Sequence, residues 1–181
     1  MQILRDVTVV TAPTAEIITL TEAKNYLRVD YSEDDVLIQD LIDTARIRLE
    51  QYAGVAMTPR TLKAVAFVNE FIELPYTPIN NITKVEYLSG TDWVEMTVGN
   101  YFVLGDTYKK VYMIGINDSE FRFTYACGYT TPPESMKTAV LKLVSDLYEY
   151  RESSVEATRP SANLTTAYEL MKPFKRISIF L

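Results

Sequence analysis

The sequence predicts an α+β fold with a helical core, an inserted small antiparallel β-unit and an extended C-terminal arm. Three observations predict it. Apolar residues recur at helical spacing over 20–28, 33–53 and 132–152, and they alternate at period 2 within 60–126. After residue 152 the chain turns polar and then ends on a basic, apolar segment. The organisation expected is an N-terminal arm over 1–18, one main domain over 19–152, and a linker with a C-terminal arm over 153–181.

Residues 1–18 show no helical period. Val7, Val9 and Val10 would suit an edge strand, but Pro13 and the isolated charges fit an arm, either loose or laid on a neighbour. The most legible stretch follows, from Thr19 to Gly54. Thr19 and Glu22 stand three apart as a capping box, in which each side chain satisfies a backbone donor of the first turn. Leu20, Ala23 and Leu27 then share one face. A second helix opens at Ser32, with Glu33, Asp34 and Asp35 in the first turn, where the helix dipole favours carboxylates. Leu37, Leu41, Ala45, Leu49 and Tyr52 form its stripe, widened by Ile38 and Ile42, and Gly54 sits where a left-handed residue ends a helix.

Beyond Gly54 the period drops to 2. Leu62–Val68, Phe71–Leu74, Ile82–Leu88, Trp93–Val98, Tyr101–Leu104, Lys110–Ile114 and Phe121–Tyr125 are short runs rich in β-branched and aromatic residues. Ser89-Gly90 and Gly99-Asn100 mark hairpins between them. With no helix between successive strands, the sheet is antiparallel. Helical spacing returns at Thr131-Pro132-Pro133-Glu134, which reads as a second capping box with proline at the first position. Met136, Val140, Leu143, Val144, Leu147 and Tyr148 make the face of that helix, a natural partner for the stripe of the second. From Ser153 to Thr166 the polar composition and Pro160 predict a flexible linker.

At 181 residues and 20.7 kDa the chain is long enough for one domain with a substantial core. No apolar run approaches the roughly 20 residues of a membrane span, and no targeting segment is expected at the N-terminus. A single cysteine, Cys127, excludes an internal disulfide and reads as a small core residue. The net charge of −6 argues against a tight grip on phosphates. That charge is uneven, at −5 over residues 1–54 and +2 after residue 150, which suggests a basic end docking on something acidic or a solvated tail.

The chemistry available is narrow. There is no histidine, so the commonest general base, metal ligand and nucleophile partner are missing. The six glycines match neither a dinucleotide fingerprint nor a P-loop. Asp30, Glu33, Asp34 and Asp35 could be imagined around a magnesium ion, but carboxylates at a helix start are expected without any ligand, and calcium-loop spacing is absent. The 13 tyrosines and Trp93 suit cross-strand packing or an interface surface better than a sugar-stacking platform. No catalytic residue, cofactor or metal is expected; this is a protein of contact.

Three ordered stretches carry a resemblance: LTEAKNYLRVDYSEDDVLIQDLIDTARIRLEQYAG, then IELPYTPINNITKVEYL, then FRFTYACGYTTPPESMKTAVLKLVSDLYEYRES. Together they resemble the head–tail connector proteins of tailed bacteriophages, also called adaptor or head-completion proteins, over about Leu20 to Glu152. The resemblance implies a structural virion subunit, assembled in the host cytoplasm into a ring, commonly of twelve copies, beneath the portal protein. The ring would extend the DNA channel without sequence-specific binding and present a surface to the next neck or tail-completion protein. By the same resemblance the arm is the portal-docking element, through Lys172, Phe174, Lys175, Arg176, Ile177, Ile179, Phe180 and Leu181; alternatively its apolar residues fold back on their own subunit. An acidic ring lets DNA slide, and Asp34, Asp35, Asp40 and Asp43 are assigned to the channel wall. Removing residues 168–181 is then expected to spare the fold and abolish portal binding. Rival readings are another neck or tail-completion component, a carboxylate-based cell-wall hydrolase and a carbohydrate-binding module.

Overall fold

The computed structural model describes residues 2–116, 119–150 and 162–175. The fold is α+β, and the chain divides into two units, Met1–Thr14 with Thr58–Thr130 and Ala15–Met57 with Thr131–Leu181.

The first unit is built from eight strands: β1 (Gln2–Thr11), β2 (Arg60–Val68), β3 (Phe71–Glu73), β4 (Ile79–Ser89), β5 (Asp92–Glu95), β6 (Tyr101–Leu104), β7 (Lys110–Met113) and β8 (Ser119–Cys127). They form a five-stranded sheet in the order β1-β2-β8-β4-β5 and a three-stranded sheet in the order β3-β7-β6. Every pairing is antiparallel. The β2–β8 register runs unbroken from Arg60↔Cys127 to Val68↔Ser119. Along it Leu62, Ala64, Ala66 and Val68 alternate inward, as do Phe121, Phe123, Tyr125 and Cys127. Ala64 faces Phe123 and Ala66 faces Phe121, so each large ring is set against a small residue across the ladder. The buried Tyr125 hydroxyl donates to the Pro75 carbonyl at 2.9 Å, which satisfies its one polar atom. At the end of β8, Gly128 has φ +106°, and a Cβ there would fall 2.2 Å from the Thr58 carbonyl oxygen. Only glycine fits.

Two expectations change here. Residues 2–11 are not an arm but the edge strand of the larger sheet, paired with β2. The β-branched residues suit the ladder, and register shifts between Leu4 and Asp6 and between Val9 and Thr11 absorb an extra residue at Arg5 and at Val10. Gly99-Asn100 closes no hairpin, because β5 and β6 belong to different sheets.

The second unit is helical: α1 (Leu20–Leu27), α2 (Asp35–Ala53), α3 (Glu134–Glu149) and α4 (Ala162–Met171), followed by a 3-10 turn over Lys172–Phe174. The capping box at α1 is present. The Glu22 N–H donates to Thr19 Oγ1 at 3.2 Å and the Thr19 N–H to Glu22 Oε2 at 2.6 Å, holding the Glu22 carboxyl below its usual range. Gly54 ends α2 at φ 70°, its N–H on the Glu50 carbonyl at 2.8 Å. The start of α2 differs from expectation, since Asp34 rather than Ser32 is its N-cap and caps with no side-chain bond. Nor does a capping box open α3, whose N-cap is Pro133. A residue before proline is disfavoured in the helical region, so the Pro132-Pro133 pair delays the helix to Glu134. From Ala162 onward a helix replaces the expected linker, and Ala167 and Met171 are buried.

α2 packs on α1, α3 and α4, and α3 on α1 and α4. Ile38, Ile42, Ala45 and Leu49 of α2 and Met136, Ala139, Val140, Leu143 and Val144 of α3 are fully buried. The stripe of α2 is thus centred on Ile38 and Ile42, with Leu37 and Leu41 half-buried at its margin. Inside it lie two buried charges. Arg46 donates to Glu16 at 2.6 Å and to Glu50 at 3.2 Å, and the other Glu50 oxygen accepts the Met57 N–H at 2.7 Å. A buried charge is costly unless paired and hydrogen-bonded, and both conditions hold here.

Glu50→Ala leaves the Met57 N–H without its acceptor and Arg46 with one carboxylate fewer, so a loss of about 1–3 kcal/mol is expected in urea unfolding, while Glu33→Ala at an exposed site stays within about 0.5 kcal/mol. A second prediction concerns acid. Arg122 makes two 2.6 Å hydrogen bonds to Glu86, which hold its carboxyl down to about 2 against 4.5. The folded pKa lies below the unfolded one, so this pair's stabilisation is full above about pH 4.5 and is lost as pH falls towards 2. Unfolding midpoints measured from pH 6 to pH 2.5 should fall less steeply for Glu86→Gln, which has no carboxylate to protonate.

Candidate functional site

The site lies in the helical unit, where the last turn of α2 meets α4 and the turn after it. Tyr52, on α2, takes the Tyr168 ring edge-on at 4.8 Å and 70°. The Lys175 ammonium sits 4.5 Å above the Tyr52 ring, within cation–π range. Arg48, one helical turn back, and Gln51, next to Tyr52, are exposed, and with Tyr52 and Tyr168 they line an open groove of about 620 Å³. The helical period places Arg48, Gln51 and Tyr52 together, because positions three and four apart share a face. Tyr168 is brought to them by the burial of its neighbours Ala167 and Met171.

The residues expected to dock on a partner are placed unevenly. Lys172 is engaged by Glu169 at 2.5 Å, which raises its pKa, and Phe174 is half-buried. Lys175 lies on Tyr52. Arg176, Ile177, Ile179, Phe180 and Leu181 lie outside the described residues.

The four aspartates assigned to a channel wall do not form one cluster. The Tyr148 hydroxyl donates to Asp34 at 2.5 Å and lies 2.9 Å from the Tyr31 hydroxyl, which itself reaches Asp34 at 3.3 Å. Stabilised by this bond to Asp34, the Tyr148 phenol holds its proton well above the ordinary tyrosine range. Asp35 pairs with Lys24 at 2.5 Å. Asp43 is half-buried and contributes to the field around Arg46, with Oδ1 buried and unbonded. Asp40 alone of the four is exposed. The acids at the start of α2 therefore tie helices together: Asp34 joins it to α3 and Asp35 joins it to α1.

Arg48 and Gln51 were missed because a polar residue on the open face of an amphipathic helix carries no signal until α4 is laid beside it. The Arg46–Glu50 pair did carry one: a charge at each of two positions four apart, flanking Leu49 in the apolar stripe. Cys127 is a buried core thiol on β8. Among the described residues, no three of His, Cys, Asp and Glu converge to hold a metal.

No curated protein matches the chain. Solved structures do. The neck of an empty gene transfer agent (GTA) particle with C6 symmetry matches with TM-score 0.77 at 15% identity, over 97% of this chain and 98% of that one. The virion of a native GTA particle gives 0.79 at 15%, and the neck of a native GTA particle with C12 symmetry gives 0.74 at 14%, with the same coverage. At such identities the likeness establishes a shared fold across nearly the whole length of both chains. Residues 17–85, which span α1, α2, β2, β3 and the first part of β4, match the phage gp6-like head-tail connector model. That segment is similar to the phage gp6-like head-tail connector proteins.

Proposed function

We propose that this connector protein works as one subunit of a ring at the head–tail interface of a virion or phage-like particle, joining the portal above to a neck or tail component below. The reading is carried by one observation: a connector-family match over residues 17–85 in a chain whose whole fold is that of a GTA neck structure. The C12 symmetry of that neck favours twelve copies. The work is contact, with no cofactor and no catalytic step. A ring of copies each carrying −6 would repel phosphates and let DNA pass, with exposed Asp40 as the leading candidate for the channel wall.

The C-terminal segment is the portal-docking element. Lys172 is spent on Glu169 and Lys175 lies on Tyr52. The residues left for the portal are therefore Arg176, Ile177, Ile179, Phe180 and Leu181: a guanidinium for acidic partner surface and apolar anchors for insertion or strand addition.

Deletion of 168–181 would also strip Tyr168 from Tyr52 and remove the buried Met171, so it tests packing as much as docking. The cleaner test deletes residues 176–181. The truncated chain should keep its circular dichroism and melting temperature and lose at least tenfold in affinity for the portal protein of the same particle, measured by co-sedimentation. Equal binding by the truncated chain overturns the docking role.

A further inference from the structure

The groove beside Tyr52 is not used by the portal reading, and its chemistry has a counterpart elsewhere on the same unit. Among the described residues Arg48 is exposed and makes no ion pair, and Lys175 has the Tyr52 ring but no carboxylate. Arg48 thus lines the groove with two tyrosines at the C-terminal end of α2, and Lys175 lies over one of them. At the other end, ahead of the first turn of α2, the order is reversed in sign. Asp30 and Glu33 are exposed and make no ion pair among the described residues, and between them Tyr31 is 47% exposed. One end of the helix offers an aromatic ring between two acids. The other offers an aromatic-lined groove between two bases.

We infer that the groove lined by Arg48, Gln51, Tyr52 and Tyr168, with Lys175 lying over the Tyr52 ring, receives the Asp30–Tyr31–Glu33 tip of a second copy of this chain. Tyr31 would lay the exposed side of its ring against Tyr52 and Tyr168 while its hydroxyl stays on Asp34 and Tyr148, and Asp30 and Glu33 would meet Arg48 and Lys175. The two patches differ and lie at opposite ends of one 19-residue helix, about 28 Å long at 1.5 Å per residue. Such a contact is heterologous: each copy uses its groove on one neighbour and its tip on the other, and the series closes into a ring when the rotation permits. Tyrosine and arginine are the side chains that interfaces favour at their centres, and matched charges set partner choice and register. The inference rests on the ring reading above and supplies the contact by which copies join. A nucleic-acid phosphate is the other acidic occupant such a groove could take, but the body of the chain, at −6, disfavours it.

Cysteine trapping tests the contact. A chain carrying Glu33→Cys and Gln51→Cys is oxidised alone and with the portal protein present, beside wild type, whose one thiol is buried. The expected result is a ladder of covalent multimers extending beyond dimer for the double variant, and nothing beyond dimer for either single variant. Absence of the ladder in both settings overturns the inference.

Charge reversal gives the second arm, with variants confirmed folded by circular dichroism. Added to the trapping pair, Arg48→Glu with Lys175→Glu, or Asp30→Lys with Glu33 left as the trap, should each reduce the ladder at least fivefold. Mixing the two should restore it, since an acidic groove then meets a basic tip. A groove-reversed chain that still ladders but loses retardation of duplex DNA assigns the groove to nucleic acid and overturns the contact. Portal co-sedimentation of the same variants separates the two proposals: retained portal binding with no ladder removes this contact and leaves portal docking standing.

Discussion

The helical unit depends on the burial of one stripe of α2. Ile38, Ile42, Ala45 and Leu49 are sealed from water, and α1, α3 and α4 are the elements that seal them. A 19-residue helix of mixed polarity is marginal alone, so its stability comes from that packing rather than from propensity. The constraint reaches further than the apolar side chains. Arg46 and Glu50 sit within the stripe, and their charges are tolerable only because Glu16 and the Met57 N–H complete the hydrogen bonding. Those two partners fix the chain on either side of α2, where it enters and leaves the unit.

The same economy governs the acidic residues, which dominate the first third of the chain. Glu22 completes a cap, Asp34 holds Tyr148 and Tyr31, and Asp35 holds Lys24. Carboxylates so engaged orient helices. Beside the apolar Val36 and Ile47, the exposed face of α2 carries Asp40 near its start and Arg48 and Gln51 near its end. The proposed place in a ring requires surfaces that distinguish one neighbour from another. Local charge of opposite sign at the two ends of a rigid helix supplies that distinction with few residues.

Much of this was legible from residue order alone. The helical period located α1, α2 and α3, and period-2 alternation located β2 to β8, because both signals follow from which side chains must leave water. Thr19 with Glu22 announced its cap correctly, since both partners lie within one turn. Thr131 with Glu134 did not, because two consecutive prolines restrict the backbone before any cap can form. β1 was obscured because its partner begins at Arg60, far along the chain, and because its charges read as solvent-facing when it is in fact a bulged edge. The groove was least legible of all: Tyr52 and Tyr168 are more than a hundred positions apart and meet only once α4 docks.

The two units are interleaved along the chain, and this bears on how a ribosome-borne molecule acquires its shape. β1 is made before the strand it pairs with, which starts at Arg60, so its ten residues stay without a ladder while α1 and α2 are made. α2 in turn lacks α3 until the whole β-unit has been synthesised. Neither unit can finish from an uninterrupted stretch of nascent chain, and the loop closures each requires span tens of residues. Maturation is therefore largely post-synthetic: the core of each unit closes only after its last element has been made.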